Sequence, residues 1–175
     1  MGKKEFLIQH LTEDKSYQEI EDEYNIPRTQ LSEWWETGNK IREEIKKANQ
    51  LFNSRKGSKE FIGFEKIGKR GFYEWFVNQP KICTYCGIEE HKLQKLFDKE
   101  NGILKTKRGR GRSLELERKD SKSNEYTPDN CALACYLCNN HKSDLIGAED
   151  HLTYFAPAIK KYLDYKFEEF SKNEK

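Results

Sequence analysis

Residues 113–144 read SLELERKDSKSNEYTPDNCALACYLCNNHKSD. Leu114 and Leu116 alternate with polar residues, the period of a short half-buried strand. Residues 121–130 are polar and include Pro128, which marks a loop. Cys131-Ala132-Leu133-Ala134 is a second short apolar strand. From Asn139 the pattern turns helical and is expected to run through Lys142, Leu145 and Ile146. The segment should fold as strand, loop, strand, helix, with Cys135 and Cys138 at the start of the helix.

Cys135-Tyr136-Leu137-Cys138 has a mate upstream, Cys83-Thr84-Tyr85-Cys86-Gly87. Each pair has two cysteines separated by two residues, and Gly87 follows the first pair as a tight turn requires. Two such pairs offer four thiolates to one tetrahedral ion, the signature of structural zinc. A redox reading would need one such pair in a βαβ pattern, which this chain lacks. Four ligands leave no open position, so this zinc should hold the fold and not catalyse. The fifth cysteine, Cys131, reads as a small buried residue on the second strand.

Between the pairs lies Lys105-Thr106-Lys107-Arg108-Gly109-Arg110-Gly111-Arg112, five cations in eight residues. Interleaved glycine disfavours a helix, and arginine forks fit phosphate oxygens. Lys107, Arg108, Arg110 and Arg112 are therefore candidate phosphate contacts, against the plainer reading of a solvated loop. Residues 41–122 carry a net +9, while residues 1–40 carry −4 and residues 123–175 carry −3. The formal net charge of +2 conceals a positive belt, which points to a polyanion partner.

Towards the N-terminus, Ser16-Tyr17-Gln18-Glu19 reads as a capping box. Asn25-Ile26-Pro27 breaks the helix that follows it, and Leu31, Trp34 and Trp35 stripe a second one that stops at Gly38. Two short helices joined by a tight turn suggest a helix-turn-helix, with Arg28, Thr29 and Gln30 at the exposed start of the second. The alternative is a helical hairpin that only packs, and the local negative charge favours that alternative. A charged helix over residues 40–56 has Ile41, Ile45, Ala48 and Leu51/Phe52 on one side. Residues 54–58 read as a linker. An aromatic-rich helix is expected over residues 61–77, weakened by Gly63, Gly68 and Gly71 and ended by Pro80. The division expected from this is a helical region over 1–56 and a zinc-stapled domain over 57–175. In the tail, Leu152, Phe155, Ile159, Leu163 and Phe167 recur at helical spacing from Glu149 to Lys175, as a core or dimer helix.

Composition sets the outer bounds. The chain has 175 residues, of which 35% are charged and 35% hydrophobic, with 10 Phe, 9 Tyr and 3 Trp. That aromatic content argues against wholesale disorder. No run of about 18 apolar residues exists, and the start shows no secretory signal, so a cytoplasmic protein without a membrane span is expected.

The segment from Ser113 to Asp144 resembles the HNH, or ββα-metal, nuclease family, over roughly residues 81–147. The resemblance implies an α+β fold: a small ββα-metal core stapled by four cysteines, with the helix-turn-helix-like region and flanking helices around it. It places Glu117 and Asn139 as ligands of a catalytic Mg2+ or Mn2+, Asn130 as the loop asparagine, and Lys142-Ser143 as the terminal pair. Arg118 stands where the family has its general-base histidine. Guanidinium stays protonated, so Arg118 would stabilise charge developing on the phosphate and the base must be another group. A related site with Arg in that place uses a tyrosine near its metal, which makes Tyr85 a candidate. His141 is another, since imidazole commonly serves as a general base, and His91 a third. The function implied is a site-specific double-stranded DNA endonuclease of restriction, homing or phage type, bacterial or phage-encoded. The alternative is a zinc-stabilised DNA-binding or regulatory protein that has lost catalysis at Arg118. Cutting both strands with one small site calls for two copies, so a homodimer and a palindromic target are expected.

Overall fold

The computed structural model describes residues 1–173. The last two residues of the expected tail, Glu174 and Lys175, lie outside them. The chain divides into two compact units, Met1–Asn78 and Gln79–Lys175.

The first unit is helical: α1 (Lys3–Thr12), α2 (Tyr17–Tyr24), α3 (Arg28–Thr37), α4 (Asn39–Asn53) and α5 (Ile62–Asn78). Helix α1 has no clear apolar stripe, because Phe6, Leu7, Ile8 and Gln9 are all buried in succession. It packs against α3, α4 and α5. A helix covered on several sides needs no polar face. Helix α2 starts at the Ser16 capping box, with the Ser16 and Glu19 side chains each bonding the other's backbone N–H. Asn25 turns left-handed (φ 52°, ψ 46°) and Pro27 caps α3. Ile20 and Leu31 are fully buried. Gly38 does more than stop α3: a Cβ there would come within 2.5 Å of Leu7 Cδ1 and 2.7 Å of the Trp34 carbonyl oxygen. Only glycine lets α1 lie this close.

The unit's boundary falls after Asn78 and not after Lys56. Phe61, Phe64, Phe72 and Phe76 form one aromatic cluster, and Phe52 of α4 joins it by edge-to-face contacts at 5.3 Å to Phe61 and 5.7 Å to Phe72. Each such ring buries a large apolar area, so α5 belongs with the helix it packs on. The glycine-rich stretch costs α5 one break, at Gly68 (φ 67°).

The second unit holds α6 (Glu90–Leu96), β1 (Glu115–Arg118), β2 (Cys131–Ala134), α7 (Tyr136–Lys142), α8 (Ala148–Asp150) and α9 (Ala156–Asn173). A π-turn, His151–Phe155, joins α8 to α9 in one continuous rod. Strands β1 and β2 pair antiparallel, Glu115 opposite Ala134 and Arg118 opposite Cys131. The result is a helix-rich α+β protein with a single two-stranded sheet among the described residues. Helix α7 is shorter than the apolar pattern suggests. It ends at Lys142, Ser143 takes φ 47°, and Leu145 is 89% exposed. No helix among the described residues is long and apolar enough to cross a membrane.

All three tryptophans, Trp34, Trp35 and Trp75, lie in the first unit, so their fluorescence reports its unfolding. Gly38→Ala should destabilise that unit by about 1–3 kcal/mol, the usual cost of overpacking, seen as a lower urea midpoint in tryptophan emission.

Candidate functional site

The four paired cysteines come from two segments. Cys83 and Cys86 sit in a tight knuckle: the Gly87 N–H donates to the Cys83 carbonyl at 2.9 Å and the Cys83 N–H to the Ile88 carbonyl at 2.9 Å. Gly87 has φ +70°, which a side chain would strain. The Thr84 N–H donates to the Leu133 carbonyl at 2.8 Å, tying the knuckle to β2. Cys135 caps α7, its Sγ accepting from the Cys138 N–H at 3.4 Å. All four thiols are buried, and their Sγ atoms lie within 4.8 Å of one another. A tetrahedral zinc with Zn–S of about 2.3 Å sets its sulfurs about 3.8 Å apart; Cys86 and Cys135 are at 3.7 Å. The cluster can hold a metal ion such as zinc. Left to themselves the thiols conflict: hydrogen bonds from Cys135 and Cys138 hold Cys83 well below the usual thiol range, and hydrogen bonding with Cys135 pushes Cys138 well above it. A cation at the centre removes the conflict by stabilising thiolate at all four. Cys131 is buried on β2 and is not part of the cluster.

Strand β1 and helix α7 meet over the second feature. Strand alternation puts Glu115 and Glu117 on one face. On α7, Asn139 and Lys142 are three residues apart and share a face. The two faces join in two rungs. Lys142 Nζ reaches Glu117 Oε1 at 2.9 Å, and Asn139 Nδ2 donates to Glu115 Oε2 at 2.8 Å. Lys142 is completely buried and donates its remaining protons to the Arg118 carbonyl (3.0 Å) and Ser121 Oγ (2.7 Å). Glu117 is 5% exposed, and burial pushes its carboxyl above the usual range in spite of the ammonium. The Tyr85 hydroxyl donates to the same Glu117 oxygen at 3.3 Å. Burial, and then the Glu117 charge, push the Tyr85 phenol above its ordinary value, so it sits here as a neutral donor.

The other residues singled out by the sequence are spread over both units. Arg118 lies next along the strand, bonds Asp144 at 2.9 Å and covers the Tyr126 ring at 4.7 Å. Asn130 fastens the polar loop: its Nδ2 donates to the Asp120 and Glu125 carbonyls and Ser123 Oγ, and its Oδ1 accepts from the Asp120 N–H. His141 is exposed on α7 and packs on His151 (5.4 Å) and Phe155 (4.6 Å). His91 is exposed beside Glu89. Among the loop cations, Lys105 bonds the Asp98 and Lys99 carbonyls, Arg110 grips Glu115 and Arg112 reaches Asp98. Lys107 and Arg108 are exposed and line a groove of about 550 Å3 together with Tyr136, Asn140 and Tyr162. In the first unit, Arg28 and Thr29 are exposed and Gln30 half-buried at the start of α3.

Three residues at the site escape a reading of the sequence. Glu115 carries a signal, since it is two residues before Glu117 on the same strand face. Lys142 is legible as half of a motif, but not as the ion partner of Glu117. His151, fully buried against Tyr85 at 4.8 Å, has no signal.

No family model matches the sequence, and no curated protein matches it. Among solved structures, the chain is similar to the rare-cutting HNH restriction endonuclease PacI, at a TM-score of 0.47 and 26% identity. The similarity covers 68% of this chain and 75% of that one.

Two outcomes follow from the geometry. Cys135→Ser should lower bound zinc from one ion per chain and unfold the second unit, as metal analysis and circular dichroism would show. Lys142→Met leaves Glu117 buried without its cation and should cost about 3–5 kcal/mol. Adding Glu117→Gln should recover most of that loss, read from the urea dependence of zinc release.

Proposed function

We propose that this protein is a metal-dependent, site-specific endonuclease that hydrolyses phosphodiester bonds of double-stranded DNA. The observation that carries the reading is the strand–helix pair itself: Glu117 of β1 and Asn139 of α7, beside a four-thiolate cluster that starts the helix. The oxygens fit the requirement for a hard divalent ion. Glu117 Oε1 is taken by Lys142 and Tyr85, and among the described residues no hydrogen bond is seen at its Oε2. Asn139 gives its amide nitrogen to Glu115, so its Oδ1 is the atom that would serve an ion. Glu117 and Asn139 would hold Mg2+ or Mn2+, which supplies charge compensation at the scissile phosphate. Zinc in the cysteine cluster is structural.

The chain's own groups divide the rest. Lys142 holds the Glu117 carboxylate in place. Tyr85 orients Glu117 through the hydrogen bond from its hydroxyl. Tyr85 beside Glu117 and His141, exposed on the helix that carries Asn139, are the two candidates for the base. Arg118, always charged, supports charge developing on the phosphate. Asn130 fixes the loop between the strands. Lys107 and Arg108 meet the DNA backbone; Arg110 and Arg112 are already paired and shape the loop that presents them. Helices α2 and α3 are proposed as a helix-turn-helix, with Arg28, Thr29 and Gln30 reaching the major groove. Double-strand cutting calls for two copies, and the exposed Leu152, Tyr154, Phe155 and Tyr165 provide apolar surface for a homodimer.

The test is plasmid DNA incubated with the purified protein and Mg2+. Discrete fragments are expected, and Glu117→Gln, which keeps an oxygen acceptor for the buried Lys142, should abolish them while zinc content stays at one per chain. Bound but uncut DNA would favour the second reading, a DNA-binding regulator. For the loop, Lys107→Ala/Arg108→Ala should flatten the slope of log affinity against log salt by about 2, because each phosphate neutralised adds about 0.9 to it. Filter binding at several salt concentrations measures it, and an unchanged slope removes the loop from the interface.

A further inference from the structure

Glu115 makes more contacts with the site than a surface carboxylate needs. Its Oε1 accepts from Arg110 Nε at 2.9 Å, and its Oε2 accepts from Arg110 Nη2 at 2.6 Å and from Asn139 Nδ2 at 2.8 Å. Arg110 is itself held, with its guanidinium 4.9 Å from the ring centre of Tyr136, the first residue of α7. A chain of contacts therefore runs from the cationic loop, through Glu115, to Asn139, and back to the helix that carries Asn139.

We infer that Glu115 is a positioning residue, whose carboxylate orients the Asn139 amide for the divalent ion and couples that orientation to Arg110 of the cationic loop. This rests on the proposal that Asn139 is an ion ligand. The chemistry is that of a two-sided group. An asparagine amide can turn either its oxygen or its nitrogen to a given neighbour. An ionised carboxylate only accepts, so Glu115 demands the nitrogen and leaves the oxygen for a cation. Arg110 grips both carboxylate oxygens at once, which fixes the plane in which Glu115 presents its acceptor. Outer carboxylates of this kind typically change metal affinity by about 10–100-fold.

A merely structural role makes a different prediction. Arg110 is 42% exposed in its side chain and Glu115 17%. A two-pronged pair partly open to solvent contributes modestly to folding. Loss of Glu115 should therefore lower stability slightly, leave the fold and its zinc in place, and act mainly on ion binding.

The experiment uses the full chain without DNA and Mn2+ as the probe, with free Mn2+ followed by its paramagnetic resonance signal. The wild-type protein is expected to bind one Mn2+ that Glu117→Gln, which keeps an acceptor for the buried Lys142, removes. Glu115→Ala should weaken that binding about tenfold or more, with zinc content unchanged and only a small drop in thermal midpoint. Glu115→Gln, whose side-chain oxygen still accepts from Asn139, should recover part of the loss. Added to Asn139→Ala, Glu115→Ala should have no further effect. Wild-type affinity in Glu115→Ala overturns the inference while the ion site stands. Absence of any Glu117-dependent Mn2+ binding in the wild type overturns the ion site and the inference with it. If Glu115→Ala does not fold, Arg110→Met decides: it leaves the carboxylate unclamped and should weaken Mn2+ binding severalfold, and unchanged affinity overturns the inference.

Discussion

Four buried sulfurs within 4.8 Å of one another are the constraint on which the second unit depends. The thiols crowd together at the point where β2 ends and α7 begins, and they can ionise together only around a cation. An ion there joins the knuckle at 83–86 to the helix at 135–142 and fixes the direction in which α7 leaves the sheet. That direction lays Asn139 and Lys142 over Glu115 and Glu117. The chemistry of the site is thus a consequence of where the metal cluster starts the helix.

The two rungs between strand and helix differ in character. Lys142 and Glu117 are both buried, and the ammonium has all of its protons bonded. Such a pair gains little net stability over an apolar one, but losing one partner is costly. It is therefore suited to fixing one geometry. The outer rung, Asn139 with Glu115 and Arg110, is partly exposed.

Much of this is legible in the sequence wherever a local rule acts. The knuckles, the Ser16 capping box, the Asn25–Pro27 turn and strand Cys131–Ala134 follow from spacing, capping and alternation. What escapes depends on packing between distant segments. Helix α1 shows no period because Phe6, Leu7, Ile8 and Gln9 are buried one after another. The boundary at Asn78 is set by aromatic rings that meet across α4 and α5, which no linker composition reports. Leu145 and Ile146 continue a helical pattern that the left-handed turn at Ser143 ends. Among the candidate site residues, Glu117 and Asn139 are singled out by motif. The Arg110–Glu115–Asn139 chain needs the fold, since it joins a loop, a strand and a helix. The cationic loop reads in sequence as five equivalent charges, and folding assigns three of them to protein partners.

X-ray absorption at the zinc edge tests the central claim most directly, because it counts the atoms around the ion. The account predicts one zinc per chain with four sulfur neighbours at about 2.3 Å and no nitrogen or oxygen neighbour. Fewer than four sulfurs, or a folded second unit without zinc, would contradict it.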